Sequence, residues 1–203
     1  MKVLIATTNA GKIAIYKEIL KEAQIECVGL NDIGCKLDVE ETGKTEVENA
    51  LIKALAYYKA TDMPVISNDS GLIIEKLKPE EQPGVFVRRH NGKELTDEEL
   101  LNVYIEKISA VGGSSNGHFN VGLAIVDQHG QMHTREFCPK RFFINKASKI
   151  IKKGIPLDSI AFDEKTGKFM SEMTIVERNN YEADELAKQK DFILEVFESQ
   201  ISS

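Results

Sequence analysis

Apolar residues fall along this chain in two alternating patterns, short runs and stripes spaced by three and four, which read as strands followed by helices. Val3 to Thr7 is a run of strand type. After Thr8-Asn9-Ala10-Gly11-Lys12, the residues Ile13, Tyr16, Ile19, Leu20 and Ala23 recur at helical spacing. Ile25 to Val28 reads as a second strand. Thr45 with Glu48 three residues later is a capping-box signature, and Ala50, Leu51, Ala54, Leu55 and Tyr58 mark the inner face of the helix behind it, which closes before Pro64. In Val65 to Ile74, two apolar runs flank Asn68-Asp69-Ser70-Gly71, so the pattern predicts a strand that ends on small and polar residues. Pro79 to Gly92 is irregular. Thr96 to Glu99 forms a second capping box, opening a helix with Leu100, Val103, Tyr104 and Ile108 inside. Gly112 to Gly117 reads as a loop. His118 to Asp127 and Gln131 to Asn145 read as two long strands joined across His129-Gly130, and a last helix carries Leu186, Ile193 and Phe197 on one face. This is an α/β sequence, without repeat or linker, and one domain over residues 1–203 is expected.

With 203 residues, of which 42% are hydrophobic, the chain is long enough for a sizeable core. The 29% of charged residues and the lack of any apolar run near the ~20 residues of a membrane span point to a protein outside the bilayer. Met1 to Ala6 reads as a strand and is too short for a signal peptide, so a cytoplasmic location is expected. Cys27, Cys35 and Cys138 have no paired spacing, which argues against a disulfide framework or a zinc site and leaves buried, reduced thiols as the expectation. A formal net charge of -6 argues against a broad nucleic-acid surface, so any anionic substrate must meet local positive charge such as Lys12, Lys53 or Arg88-Arg89. His129 and His133 are four apart, but Gly130 between them fits a hairpin and not a helical metal site.

The candidate chemistry follows from placement. A Thr/Asn/Gly loop at a helix start presents backbone N–H groups and the positive end of the helix dipole, a natural phosphate cradle to which Lys12 adds charge. The same residues also suit a plain cap by Asn9 with a solvated Lys12. Asp69 offers a hard oxygen for magnesium and a base for water, although Asn-Asp-Ser-Gly is equally a turn sequence. Glu40 and Glu41 precede a helix, where acidic residues favour the dipole; alternatively one of them meets Asp69 around a metal. Asn49 and Lys53 are four apart and so share a helix face.

Taken together, Thr7-Thr8-Asn9-Ala10-Gly11-Lys12, Glu41-Thr42-Gly43-Lys44-Thr45, Glu48-Asn49-Ala50 with Lys53-Ala54, Asn68-Asp69-Ser70-Gly71-Leu72 and Pro83-Gly84-Val85 closely resemble, in order, the motifs of the inosine triphosphate pyrophosphatase family. The resemblance is specific for roughly the first 90 residues and weaker, though collinear, beyond them. It implies an elongated α/β fold with a central mixed sheet flanked by helices, two lobes and a cleft between them, and a homodimer. It also implies cleavage of a nucleoside triphosphate between the α and β phosphates, with magnesium. By the same resemblance, Thr7, Thr8, Asn9, Ala10, Gly11 and Lys12 hold phosphates, Glu41 and Asp69 hold the metal, and Ser70 contacts substrate. Asp69 and Lys53 are the catalytic residues, the first orienting or deprotonating water and the second offsetting charge. Phosphoryl transfer depends on positioning and charge neutralisation, which suits this set.

The chain departs from the family's pattern at informative places. Asn68 stands where the family usually has the first of two aspartates. The family's Gly-Phe-Gly-Tyr-Asp-Pro becomes Gly154-Ile155-Pro156-Leu157-Asp158-Ser159, which keeps Asp158 and loses the aromatic platform, since Ile155 cannot stack on a base. Glu182-Ala183-Asp184 takes the place of Ser-His-Arg, while Arg178 matches a family lysine. Asp158 and Arg178 remain as substrate contacts. The expected function is a magnesium-dependent nucleoside triphosphate pyrophosphohydrolase of the house-cleaning kind with altered base specificity. The alternatives are a nucleotide-binding protein with little turnover and a Maf-like nucleotide pyrophosphatase.

Overall fold

The computed structural model describes residues 1–90 and 92–201; Asn91, within the irregular stretch read from sequence, lies outside the described residues. In chain order the elements are β1 (Lys2–Ile5), α1 (Ala10–Glu22), β2 (Glu26–Gly29), α2 (Glu46–Thr61) and β3 (Val65–Ile74). Two short strands, β4 (Arg89–His90) and β5 (Lys93–Glu94), precede α3 (Asp97–Ala110). Then come β6 (Ser114–Val126), β7 (Met132–Phe137) and β8 (Lys140–Ile144). The chain ends with β9 (Phe162–Asp163), β10 (Lys168–Phe169), α4 (Ile175–Tyr181) and α5 (Ala183–Ile201). The main sheet runs β2-β1-β3-β6-β7, with β8 also paired to β6. Strand β1 is parallel to β2 and β3, and β6 is antiparallel to β7 and β8, so the sheet is mixed as expected.

The described residues divide into two compact units, one within 1–70, 121–137 and 184–201, the other within 71–90, 92–120 and 138–183. In the first unit both sheet faces are covered. Tyr16, Ile19 and Leu20 of α1 and Phe192, Ile193 and Phe197 of α5 pack with Val3, Ile5 and Ile66 on one face. Ala50, Ala54 and Tyr57 of α2 pack with Leu4 and Val65 on the other. Alternation along the strands separates these two sets, since neighbouring side chains point to opposite faces. Helix α2 lies so close to the sheet that a Cβ on Gly122 would stand 2.3 Å from the Val47 nitrogen; only glycine permits that approach. In the second unit Leu72, Ile74, Leu100, Tyr104, Ile108, Phe143 and Met170 form the core.

Several expectations are corrected. Val65 to Ile74 is one unbroken strand and not a strand ending in a turn, because pairing with β6 carries the backbone through the polar residues. Ser114 to Gly117 belongs to β6, held by pairing with Arg141 to Ile144. The single strand read over 131–145 is two, interrupted at Cys138-Pro139, where proline has no N–H to give the ladder. The hairpin across His129-Gly130 forms as expected, with Gly130 at φ 76°. Thr45 caps α2 by accepting the Glu48 N–H, but the Glu48 carboxylate accepts from Lys44 and not from Thr45, so the capping box is only half made. Tyr57 and not Tyr58 is the buried tyrosine of α2. No disulfide forms among the described cysteines, yet none is fully buried: Cys27 and Cys35 are half-buried and Cys138 is exposed.

Candidate phosphate and metal site

Within the first unit the chain leaves β1 through α1 on one face to reach β2, and enters β3 from α2 on the other. The carboxyl end of β1, and the part of β3 that runs on beyond it, therefore lie where strand order reverses, the place at which open parallel sheets leave a ligand crevice. Strand β1 pairs with β3 only through Leu4 to Val65 and Ile5 to Ile66, so Ser67 to Ser70 run beyond it, beside the loop of Thr7 to Asn9.

That loop is internally bonded. Thr7 Oγ1 accepts the Asn9 N–H at 3.2 Å, and Asn9 Oδ1 accepts the N–H groups of Gly11 at 2.9 Å and Lys12 at 3.3 Å. Of the two readings left open by the sequence, Asn9 takes the cap. Lys12, however, is not a solvated lysine. Its Nζ donates to Ser70 Oγ at 3.3 Å, and its pKa is pushed down to about 8, chiefly by burial and next by the Lys53 charge, against the opposing pull of Asp69 and Glu41.

Residues Asp69 and Val65, four apart on one strand, share the α2 face of β3, which brings Asp69 to α2. Lys53 Nζ lies 2.6 Å from Glu41 Oε1 and 3.5 Å from Asp69 Oδ1, with only 15% of its side chain exposed. One ammonium thus sits against both carboxylates that the resemblance assigns to a metal. Asn49, which the sequence placed beside Lys53 without giving it a role, is the buried organiser. Its amide nitrogen donates to Asp69 Oδ2 at 3.0 Å and its oxygen accepts the Gly43 N–H at 2.7 Å. It ties the Glu41-bearing loop to the Asp69 strand. A Cβ on Gly43 would stand 2.7 Å from that same Asn49 oxygen and 2.8 Å from its backbone nitrogen, so this joint needs glycine. The sequence signals for Asn49 were its four-residue offset from Lys53 and its place in the Glu48-Asn49-Ala50 motif, neither of which gave it a role.

Glu41 and Asp69 are hard oxygen donors, whereas Asn68 Oδ1, buried without a hydrogen-bond partner, belongs by alternation to the opposite face of β3 from Asp69. Among the described residues no three His, Cys, Asp or Glu side chains cluster as a metal cage. Two carboxylates suit a hard divalent cation that keeps water and phosphate oxygens in the rest of its shell.

The second unit holds the other two candidate contacts, and joins them. Asp158, in the 3₁₀ turn of residues 156–159, accepts from Arg178 Nη1 of α4 at 2.5 Å. Arg178 Nε also donates to Glu182 at 3.2 Å, and Glu182 takes Nη2 of Arg141. Burial works against the Arg178 charge, but Asp158 and Glu182 outweigh it and leave its pKa raised. No motif or spacing in the chain pointed to Arg141. Ile155 stands just before the turn, where the family's aromatic ring would be.

No helix among the described residues is long and apolar enough to cross a membrane. The Ham1 family model matches residues 3–190. A dITP/XTP pyrophosphatase of Thermoanaerobacter sp. strain X514 is 31% identical over 203 residues, covering 98% of this chain and 100% of the relative. A dITP/XTP pyrophosphatase of Bacillus subtilis strain 168 is 31% identical over 91% of this chain and 93% of its own. The solved structure of a HAM1 protein from Coxiella burnetii superposes with a TM-score of 0.75 at 26% identity, over 96% of this chain and 99% of that one. With motifs, topology and these likenesses in agreement, the chain belongs to the Ham1 family.

Proposed function

We propose that residues 1–203 act as one nucleoside triphosphate pyrophosphohydrolase that clears non-canonical nucleotides, with base selection altered from the family's. The observation that carries this reading is the convergence of Lys12, Lys53, Glu41, Asp69 and Ser70 beside the carboxyl end of β1 and the middle of β3. The names of its relatives support the reaction class.

In the proposed reaction, water adds across the bond joining the α and β phosphates, giving a monophosphate and pyrophosphate. Thr7 to Lys12 and the Ser70 hydroxyl hold phosphate oxygens. Lys12 gains most from such a ligand, since an anion restores the charge that burial disfavours. Asp69, fixed by Asn49, orients the water or takes its proton. Lys53 offsets charge between Glu41 and Asp69. Glu41 and Asp69 would hold magnesium, which when bound neutralises phosphate charge and polarises the phosphoryl group. Assembly as a homodimer and a cytoplasmic location belong to the same proposal and rest on the family resemblance; no nucleic-acid polymer or membrane is a partner in it.

The test is a panel of nucleoside triphosphates assayed for released pyrophosphate, with magnesium and with chelator. Pyrophosphate from at least one triphosphate, lost in chelator, is the expected result. Binding without any pyrophosphate would leave the non-turnover reading standing in its place.

A further inference from the structure

The second unit holds a pocket of its own, about 260 Å³, between α3 and the segment of residues 80–95. Its walls are fixed by hydrogen bonds. The Gln82 side chain donates to the carbonyls of Ile74 and Leu77 and accepts the Ile74 N–H, which pins the start of the segment to the end of β3. The Lys107 ammonium donates to the Glu81 carbonyl at 2.6 Å and the Tyr104 hydroxyl to the Val87 carbonyl at 3.1 Å, so α3 is tied to the segment at two points. Val87, Leu95 and Val103 give the pocket an apolar lining.

Two lining groups are not taken up by the fold. Phe86 is 57% exposed, although it is a large ring in a unit that buries Tyr104 and Phe143. The Arg89 guanidinium, also exposed, lies 5.8 Å from the Phe86 ring centre and has no hydrogen-bond or carboxylate partner among the described residues. Glu94 stands opposite it across β4 and β5 without making an ion pair with it. Its neighbour Arg88, by contrast, pairs with Asp97 and donates to the Gly154 carbonyl. The other charged lining groups are Lys107, Glu80 and Glu81, and the Glu81 carboxylate accepts from the Lys78 N–H. Two cations and two carboxylates leave the lining without net charge, so attraction of an ion from a distance is not what the pocket offers. It offers a free guanidinium beside an exposed ring.

A guanidinium meets a carboxylate or phosphate through two parallel N–H···O bonds, and an aromatic ring favours another ring against it, offset or edge-on. The volume lies just under the ~300 Å³ at which pockets for drug-sized ligands begin, so the occupant is small. We propose that this pocket is a binding site for a small aromatic acid, its carboxylate or phosphate held by Arg89, its ring against Phe86 and its far edge on Leu95 and Val103. The site lies wholly within the second unit and does not rest on the hydrolytic reading.

The experiment titrates the full chain with benzoate, with phenyl phosphate and with neutral benzamide, following the methyl resonances of Leu95 and Val103 by NMR. At least one of the two acids is expected to shift these methyls to saturation, and the tighter of the two identifies the head group. Benzamide, which keeps the ring and loses the charge, should bind at least about tenfold more weakly, because hydrogen bonds to charged groups are the stronger kind. Arg89→Met should weaken the acid by about tenfold or more, and Phe86→Ala should weaken acid and amide alike. Both replaced side chains are exposed, so thermal unfolding should stay near that of the wild type. Unmoved Leu95 and Val103 methyls with both acids, equal affinity for benzamide, or undiminished binding in Arg89→Met overturns the proposal. A change of sedimenting mass in Phe86→Ala also overturns it, since the ring would then be a contact between copies of the chain.

Discussion

Lys12 in the first unit and Arg178 in the second are both recessed cations, and the fold treats them oppositely. Lys12 has a serine hydroxyl as its hydrogen-bond partner and a second lysine as a neighbour, and its pKa falls to about 8. Arg178 is held directly by two carboxylates, and its pKa rises. The difference separates a cation left short of negative charge from one that is already satisfied. An anionic ligand gains most at the first, where its arrival removes a standing penalty. At the second, charge is internally balanced, so a ligand gains geometry and not neutralisation. On the reading proposed above, phosphate suits the first.

The largest test of this contrast is Asp69→Asn. If Asp69 works with Glu41 on a metal and on water, removing its charge lowers hydrolysis on the order of 10³-fold, since a positioned metal contributes several kcal/mol to the transition state. Thermal unfolding should stay within a few degrees of wild type, because the change is isosteric and Lys53 keeps Glu41. Undiminished pyrophosphate release in this variant would sink the assignment of the first unit as the chemical one.

Next in size is base discrimination. The chain carries neither the family's Ser-His-Arg motif nor its aromatic platform. Preference for inosine triphosphate over ATP should then stay within about 200-fold, far from the roughly 10⁴ that a full polar readout achieves. Inosine and guanosine triphosphates should be used nearly equally. A preference for inosine triphosphate above about a thousandfold over either would mean that a reader of the base has been missed.

A smaller effect is expected from Asn49→Ala. Losing the amide that joins Asp69 to Gly43 should lower kcat by about 10- to 100-fold with little change in KM, the mark of disturbed geometry, not disturbed binding. Leaving the Gly43 N–H without its partner should also cost about 1–3 kcal/mol of stability, read by denaturant unfolding. A pure KM effect would show that Asn49 serves the substrate directly.

Helices were readable because their buried residues repeat locally: Tyr16, Ile19 and Leu20 of α1, and Leu100, Tyr104 and Ile108 of α3, all lie in the cores that spacing predicted. That Lys12, Lys53, Glu41 and Asp69 come together was readable too, since each sits in a contiguous motif. What failed depended on distant partners. Asn68-Asp69-Ser70-Gly71 has turn residues, and only β6, more than forty residues on, makes it a strand. Glu182 and Arg141 are 41 residues apart, and no local pattern marks a salt bridge of that span. Asn49 was visible as a neighbour of Lys53, but its partner Asp69 lies 20 residues away. Even the Glu48 carboxylate, a local signal, shifted to Lys44 because two nearby N–H groups compete for it.

The smallest expected effect is the pH dependence that Lys12 confers. Its folded pKa, about 8, lies below the unfolded value of 10.5. Between those two pH values the unfolded chain binds the proton and the folded chain does not, so this group alone makes stability rise with pH across that window. Below about 8 both states are protonated, and the cost of a buried charge is present in full. Substrate use has the opposite slope. Phosphate binds the protonated lysine, so as pH rises through about 8 the free enzyme loses the charge that attracts it, and kcat/KM should fall by at most about tenfold per pH unit while kcat changes less. In a Lys12→Arg variant the introduced guanidinium stays charged over this range, and the profile should be flat where the wild type declines. Equal declines in both proteins would assign the titration to another group and leave Lys12 as a fixed charge.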